Sequence, residues 1–281
     1  DSLTLSQKPI GVGAFKRVWS ARLASRSDSV AYVEFQCVAD KETEPMFGRE
    51  CQTLSTLSHP NVVALLGRVN RPGFLAFVSE LCDVSLDKFA RATRCSLAQK
   101  IDIAKQLARG LTYLHSKRLV HRDLKSDNVM LNLQRNRSGS LTGVRVKIID
   151  FGFAKFLSTR SHLTGTRKDI GTPNFMAPES FDSPSDQKVN MAEELVREKV
   201  TAKADVWAFG CIMIQLFSSA VPWTGYNALK IATQLVINKR LPPEIDRVPL
   251  RFRGVVDRCL EWDRTQRPAA IELENLLNAC S

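Results

Sequence analysis

The feature that most constrains this chain is a pair of short polar segments with an apolar run between them. Residues 121–128 read HRDLKSDN, and Asp150 opens the triplet DFG. The residues directly before Asp150, VKII at 146–149, are mostly β-branched and predict a strand that ends at the second segment. Two polar turns beside a hairpin would account for the polarity. They would not account for two acids, a lysine and an asparagine at chemically reactive positions.

Both segments match motifs of one enzyme family, the eukaryotic protein kinases. HRDLKxxN resembles their catalytic loop, and DFG resembles their magnesium loop. The rest of the family pattern extends over about residues 5–275. It comprises a glycine-rich loop at 10–18, a helical pattern at 47–57, HPN at 59–61, APE at 177–179, DVW at 205–207, and Arg267 followed by Pro268. The resemblance implies that Arg267 pairs with the APE glutamate, Glu179.

The resemblance implies a fold of class α+β, the bilobal protein kinase fold. Its N-lobe is small, with a five-stranded antiparallel sheet and the αC helix, and its C-lobe is larger and mainly helical. We expect a single kinase domain over residues 1–281, with the N-lobe at about 1–79, the hinge at about 80–83 and the C-lobe at about 84–281. A chain of 281 residues, 44% of them hydrophobic, is long enough to bury the core of such a domain.

Local patterns predict several elements of the C-lobe. Ser96 and Gln99 form a capping box ahead of apolar residues at helical spacing, which indicates a long helix. The stretch 132–145, rich in Gly, Ser and Asn, predicts an extended hairpin tip. The stretch 182–203 predicts an exposed insertion with one or two helical turns, before a buried helix that Asp205 opens.

Composition argues against several other classes of protein. The formal net charge is +11, but the Lys and Arg residues are spread along the chain without interleaved aromatic residues, so we expect no nucleic acid as primary partner. The positive field would favour acidic substrates or anionic membrane surfaces. The longest apolar run, 206–217, is too short for a transmembrane segment, and the first residues lack the order of a signal peptide. Seven cysteines without CxxC spacing indicate a cytoplasmic or nuclear protein.

The resemblance assigns catalytic roles to residues of the two polar segments. Asp123 would accept or orient the proton of the substrate hydroxyl, and Lys125 would lie beside the γ-phosphate. Asn128 and Asp150 would supply the hard oxygen ligands that Mg²⁺ prefers. The HRDLK form, together with Thr172 in GTPNF, is typical of Ser/Thr kinases.

A second set of residues would enclose ATP, again by resemblance to the family. The set consists of Gly11 and Gly13 in the glycine-rich loop, of Val18, Ala31 and Met130 around the adenine, and of Glu80 to Cys82 in the hinge. The hinge backbone would hydrogen-bond the adenine, and Ser79 stands at the gatekeeper position before it. Alternating strand residues follow the glycine pattern, so the pattern does not indicate a dinucleotide-binding fold.

One position departs from the family pattern. Kinases carry a lysine in the strand motif VAxK, where it pairs with the αC glutamate and contacts the α- and β-phosphates. Here the motif reads VAYV, so Val33 stands at the lysine position. Lys16 replaces the third glycine of the glycine-rich loop, and from there it would reach the same phosphates and pair with Glu50. This arrangement resembles the with-no-lysine (WNK) kinases.

Together these residues predict a protein serine/threonine kinase that uses ATP and Mg²⁺ to phosphorylate a Ser or Thr hydroxyl of a protein substrate. GTPNFMAPE and WAFG look most like the tyrosine-kinase-like group. Because of Val33, two alternatives stay open: a pseudokinase that acts as a nucleotide-gated interaction module, and a scaffold that binds no nucleotide. The candidate regulatory residues are Arg122, Thr166 and Thr172, since a phosphate on the activation segment would pair with Arg122.

Overall fold

The computed structural model of the chain describes residues 2–13, 16–37, 39–41, 43–71, 73–93, 95–150, 173–181 and 191–280. For residue 46 and residues 191–201 it describes the backbone alone. The described ranges contain two antiparallel sheets and a helical C-terminal part, in agreement with the predicted α+β bilobal fold.

An antiparallel sheet makes up most of the N-terminal part. Its strands are β1 Leu3–Leu5, β2 Gly11–Val12, β3 Lys16–Leu23, β4 Ser29–Phe35, β5 Leu65–Val69 and β6 Leu75–Glu80. Their order is β1-β3-β4-β6-β5, and β2 also pairs with β3. Leu5 lies opposite Ala21 and Gly11 opposite Val18, so β1 and β2 share one edge of β3. The sheet therefore has six strands where five were predicted, because the predicted first strand is divided into β1 and β2.

Helix α1, Thr43–Ser55, packs against this sheet through Phe47. The buried ring of Phe47 lies 5.6 Å from the ring of Phe35 and 6.4 Å from that of Phe77. The helix begins before the predicted start at Phe47, since the Asp40 carboxylate accepts a hydrogen bond of 2.8 Å from Thr43 N. Glu50 consequently lies about two turns inside the helix.

The C-terminal part is mainly helical and carries a second, smaller sheet. Its helices are α2 Leu86–Ala92, α3 Leu97–Ser116, α4 Met191–Ser218, α5 Ala228–Ala232 with a π-helical continuation Thr233–Ile237, α6 Leu250–Cys259 and α7 Ala270–Asn278. The sheet has the order β7-β8-β9, with β7 Val84–Ser85, β8 Val129–Arg135 and β9 Leu141–Ile148. The predicted capping box of α3 is confirmed: Ser96 N donates to Gln99 Oε1 at 2.9 Å, and Gln99 N donates to Ser96 Oγ at 3.2 Å.

Helix α4 lies at the centre of the hydrophobic core, where Trp207 and Phe209 are buried. It begins at Met191, so the one or two turns predicted within 182–203 belong to a helix of 28 residues. No Gly or Pro interrupts residues 191–209, and this explains the uninterrupted helix. Residues 182–190 lie outside the described residues. Neither α4 nor another helix in the described ranges is long and apolar enough to cross a membrane.

The predicted hairpin tip at 132–145 consists mostly of strand. Strands β8 and β9 extend into it, and residues 136–140 form the turn itself. Asn136 Oδ1 accepts hydrogen bonds from the backbone N–H groups of Ser138 and Ser140, at 3.1 and 2.9 Å. A short polar side chain thus replaces the backbone partners that the turn lacks.

Candidate active site

A cavity of about 1020 Å³ lies between the N-terminal sheet and the C-terminal part. This volume is at the upper end of the range for small-molecule sites. The cavity is lined by every predicted site residue that the structure describes: Gly11, Gly13, Lys16, Val18, Ala31, Glu50, Glu80, Cys82, Arg122, Asp123, Lys125, Asn128, Met130 and Asp150. Thr166 and Thr172 lie outside the described residues, so the regulatory pairing of Arg122 stays a prediction.

The buried carboxylate of Asp205 holds the catalytic loop in place. Asp205 is 2% exposed and accepts hydrogen bonds from His121 N at 2.9 Å and from Arg122 N at 3.0 Å. Its Oδ2 also lies 2.9 Å from His115 Nε2. Arg122 has a left-handed φ of 66°, a conformation that a non-glycine residue keeps only where its surroundings fix it. Sequence reasoning placed Asp205 at the start of a buried helix and missed this anchoring role.

Asp123 has two partners within its own loop. Asn128 Nδ2 donates to Asp123 O at 2.8 Å and to Asp123 Oδ2 at 3.1 Å. Lys125 Nζ lies 3.2 Å from the same Oδ2. Because both side-chain contacts use Oδ2, Oδ1 of this partly exposed carboxylate is left for another hydrogen-bond donor.

Asp150 follows β9 directly and lies beside the catalytic loop. The preceding residue, Ile149, donates its N–H to Asn128 O at 3.0 Å, and its carbonyl oxygen is 2.8 Å from His121 Nε2. Asp150 has a φ of 68°, a second left-handed residue in the site. Its Oδ2 is in contact with Lys16 Nζ.

The pKa of Asp150 is lowered overall. Burial alone raises it, but the positive charge of Lys16 and its hydrogen bond, together with His121 and Lys125, outweigh burial. The carboxylate is therefore held ionised, which is the form that binds a cation.

The register of the N-terminal sheet explains how Lys16 reaches the cavity. Lys16 lies opposite Phe35, and Val18 lies opposite Val33. Paired residues share one face of a sheet, as do residues two apart, so these four side chains lie on the face that lines the cavity. Lys16 is the diagonal neighbour of Val33, about 7–8 Å away and within reach of a long side chain. Lys16 therefore lines the cavity from the strand adjacent to that of Val33.

Glu50 of α1 lines the same cavity and is half-buried. Lys16 Nζ contacts the carboxylate of Asp150. The predicted ion pair between Lys16 and Glu50 stays a prediction.

The carboxylate of Glu80, in the predicted hinge, is bound by other groups of the protein. Glu80 Oε1 accepts from Ala64 N at 2.8 Å and lies 2.6 Å from Lys147 Nζ, a lysine of β9 whose side chain is 8% exposed. Hydrogen bonding of adenine by the hinge backbone stays a prediction. Burial, followed by the negative charge of Glu80, raises the pKa of the Cys82 thiol to about 12. No signal in the sequence pointed to the pairing of Glu80 with Lys147.

A bidentate ion pair joins Arg267 to Glu179 of the APE segment. Arg267 Nη1 and Nη2 donate to Glu179 Oε1 and Oε2 at 2.6 and 2.8 Å. The guanidinium group of Arg267 is fully buried, donates from Nε to Glu261 O at 2.7 Å, and lies over the ring of Trp207. The pairing of this arginine with the APE glutamate, which the resemblance implied, is confirmed.

Fold and site together define a protein kinase domain, and the comparisons agree. The chain matches the protein kinase domain family over residues 5–277 and belongs to that family. It is 29% identical to a probable serine/threonine-protein kinase of Dictyostelium discoideum, over 99% of this chain and 28% of that protein. It is 28% identical to the serine/threonine-protein kinase A-Raf of Homo sapiens, over 93% of this chain and 40% of A-Raf. Identity with mitogen-activated protein kinase kinase kinase 10 of Homo sapiens is 30%, over 92% of this chain and 26% of that kinase.

Among solved structures, the chain resembles a crystal structure of Rad53 1–466 in complex with AMP-PNP. The TM-score is 0.72 at 22% sequence identity, over 97% of this chain and 64% of that one, a likeness that shows the fold alone. The chain spans less than half the length of the curated relatives named above. A-Raf and mitogen-activated protein kinase kinase kinase 10 belong to the tyrosine-kinase-like group, so the resemblance to that group is confirmed. The likeness to with-no-lysine kinases stays a prediction.

Proposed function

We propose that this chain is the catalytic domain of a protein serine/threonine kinase, which transfers the γ-phosphoryl group of ATP to a Ser or Thr hydroxyl of a protein. The observation that carries the proposal is the presence of Asp123, Asn128, Asp150 and Lys16 around one cavity. Phosphoryl transfer requires an aligned nucleophile and neutralised phosphate charge, and these four side chains provide both. Relatives named as serine/threonine-protein kinases support the substrate class.

In this proposal, Asp123 orients the acceptor hydroxyl through Oδ1, the oxygen that Asn128 and Lys125 leave free of side-chain contacts. Accepting the hydroxyl proton there would favour attack on the γ-phosphorus. Lys125 lies one hydrogen bond from Asp123, where its ammonium group would neutralise a γ-phosphate oxygen. Lys16 would do the same for the α- and β-phosphates from the opposite side of the cavity.

Mg²⁺ would be held by Asp150 and Asn128. A carboxylate and an amide oxygen suit an ion that takes oxygen ligands and keeps several positions for water and phosphate oxygens. Asn128 uses its nitrogen on Asp123, which leaves its oxygen for the ion. When bound, the ion supplies neutralisation of the negative charge that develops on the transferred group.

Adenine would bind between Val18, Ala31 and Met130 and hydrogen-bond the hinge backbone from Glu80 to Cys82. The proposed lobe boundaries are those of the sequence, with the hinge at about 80–83. All seven cysteines are free, which supports residence in the reducing cytoplasm or nucleus.

A second candidate function rests on Val33. Strand β4 supplies no cation at this buried position, so a pseudokinase that binds nucleotide without turnover would have the same fold. Retention of Asp123, Asn128 and Asp150 favours the active enzyme, because a scaffold has no physical need for all three.

The decisive experiment measures transfer of labelled phosphate from Mg·ATP to a generic protein substrate, with nucleotide affinity measured separately. Wild-type protein should phosphorylate Ser or Thr. The Asp123→Ala variant should bind ATP nearly as well but turn over about 10²–10⁴-fold more slowly, the usual contribution of a positioned proton acceptor.

Equal losses of nucleotide affinity and rate in Asp123→Ala would assign Asp123 a structural role instead. A wild-type protein that binds Mg·ATP and transfers no phosphate would be a pseudokinase. A wild-type protein whose melting temperature is unchanged by Mg·ATP would be a scaffold that binds no nucleotide.

A further inference from the structure

The outer edge of β9 is hydrogen-bonded although no strand of the described residues lies beside it. In the small sheet β9 is the edge strand, so the backbone groups of residues 144, 146 and 148 point away from β8. Every such group from Val144 O to Ile148 O nevertheless has a partner. These partners come from α3 and from the segment 61–63: side-chain atoms of Gln106 and Asn61 and backbone atoms of Asn61 and Val63.

Gln106 of α3 supplies the first two partners. Its Nε2 donates to Val144 O at 2.7 Å, and its Oε1 accepts from Val146 N at 2.9 Å. One carboxamide therefore bonds to the edge as the peptide group of a neighbouring strand would. Its remaining capacity is also used, since Nε2 donates to Asp102 Oδ2 at 2.8 Å and Oε1 accepts from Asn61 Nδ2 at 3.0 Å. All four hydrogen-bonding positions of the carboxamide are satisfied.

The segment 61–63 continues the same edge. Asn61 Nδ2 donates to Val146 O at 3.1 Å, Asn61 O accepts from Ile148 N at 2.9 Å, and Val63 N donates to Ile148 O at 3.0 Å. Gly110, one turn after Gln106 on α3, allows this close approach. A Cβ at Gly110 would lie 2.7 Å from Ile148 Cδ1 and 3.0 Å from Asn61 O.

This edge ends two residues before Asp150. The single residue between them, Ile149, is bound to Asn128 O and His121 Nε2. The position of Asp150 relative to Asn128 thus depends on the register of β9 with Gln106 and the segment 61–63. A strand held by Gln106 at Val144 and Val146 cannot slide without breaking those bonds.

We infer that Gln106 is a positioning residue for Asp150: its carboxamide fixes the edge of β9 and thereby places the proposed metal-binding carboxylate beside Asn128. The inference rests on the proposed function, because it concerns the site that would hold Mg²⁺ and ATP.

The test compares wild-type protein with Gln106→Met, which keeps the length and helix propensity of the side chain and removes all four hydrogen bonds. The Mg²⁺ concentration at half-maximal phosphotransfer should rise about tenfold, the lower end of what supporting residues contribute to metal affinity. The KM for the protein substrate should change less than twofold. In a thermal-shift assay, the extra rise in melting temperature caused by adding Mg²⁺ to ATP should shrink, whereas the rise caused by ATP alone should not.

Graded and matched variants separate positioning from general destabilisation. Gln106→Glu keeps the oxygen that accepts from Val146 N but places a second carboxylate against Asp102 and Val144 O, so its defect should be at least as large as that of Gln106→Met. Adding Asp102→Asn, which removes the neighbouring carboxylate, should recover part of that defect. Val255→Ala, in the distant core of α6, should lower the melting temperature and leave the Mg²⁺ requirement unchanged.

An unchanged Mg²⁺ requirement in Gln106→Met would overturn the inference, as would an equal rise in Val255→Ala. The thermal-shift comparison needs binding and no turnover, so it decides on Gln106 even if the wild type proves to be a pseudokinase. A wild type that shows no extra shift with Mg²⁺ would also overturn the inference.

Discussion

Replacing Lys16 by methionine tests whether one side chain has taken over from the missing strand lysine. Methionine keeps the unbranched apolar stem of lysine and removes the charge. In the structure the ammonium group is in contact with Asp150, and the two side chains are 21% and 15% exposed. The dielectric constant of such a partly exposed site lies between that of bulk water and that of dry protein, so we use an intermediate effective value.

The expected loss follows from that environment. At an effective dielectric near 20, an ammonium–phosphate contact at about 4 Å is worth about 4 kcal/mol. Removing one preorganised contact of this kind commonly lowers kcat by about 10²–10³. We therefore expect Lys16→Met to lower kcat by about two to three orders of magnitude without unfolding the protein.

The assay is the initial rate of phosphate transfer from Mg·ATP, with ATP affinity measured alongside. Lys41→Met is the matched control, because Lys41 is exposed and lies beyond the end of β4; its rate should equal that of wild type. The double variant Lys16→Gly with Val33→Lys returns the lysine to the family's usual strand, on the same face of the sheet, and should recover part of the activity.

The acid limb of the pH profile provides an independent readout. Burial raises the pKa of Asp150, and Lys16 is the chief group that lowers it. Without Lys16, the folded-state pKa should rise, so Asp150 would take up its proton at a higher pH. The acid limb of kcat/KM, which reports the free enzyme, should shift upward in Lys16→Met and stay in place in Lys41→Met. Full activity in Lys16→Met would refute the relocation and assign the phosphates to another cation.

Three further predictions concern stability and reactivity. Arg267→Ala should destabilise the fold by about 3–5 kcal/mol, because it leaves the carboxylate of Glu179 without its buried partner, and calorimetry should show a melting temperature lower by roughly 10 °C. Gly110→Val should destabilise by about 1–3 kcal/mol in urea titrations, since even a Cβ there lies 2.7 Å from Ile148 Cδ1; unchanged stability would contradict this packing. Cys82, with its thiol pKa raised to about 12, should resist iodoacetamide at pH 7.5 in the native protein, and mass spectrometry would reveal any labelling.

Features set by neighbouring residues were predictable from the sequence. The capping box of Ser96 and Gln99 was found because both partners lie within one turn. That Lys16 lines the cavity could be predicted because the glycine-rich loop and the strand motif around Val33 are each short and contiguous in the sequence. The early start of α4 at Met191 was missed, since the polar residues before Asp205 carried no clear apolar stripe.

Contacts between distant segments were not predictable where no family motif implied them. Nothing near Gln106 in the sequence indicates that its carboxamide would meet β9, and nothing near Lys147 indicates Glu80. Both contacts satisfy polar groups that become neighbours, or become buried, only when the chain is folded. The contact of Lys16 with Asp150 was not predicted for the same reason, whereas the pairing of Lys16 with Glu50, expected from the family pattern, stays a prediction.

Lys16 contacts Asp150, and the inferred role of the β9 edge concerns the same carboxylate from a different part of the fold. Lys16 comes from the N-terminal sheet, so its contact with Asp150 changes whenever the two parts of the fold move relative to each other. Gln106 and Asp150 both belong to the C-terminal part, so the edge contact is preserved in such a movement. Loss of Lys16 should therefore weaken phosphate contacts and leave the relation of Asp150 to Asn128 intact, whereas loss of Gln106 should do the reverse. If the two substitutions act independently, their effects on kcat should multiply; if both act only by displacing Asp150, the double variant should be little worse than the poorer single variant.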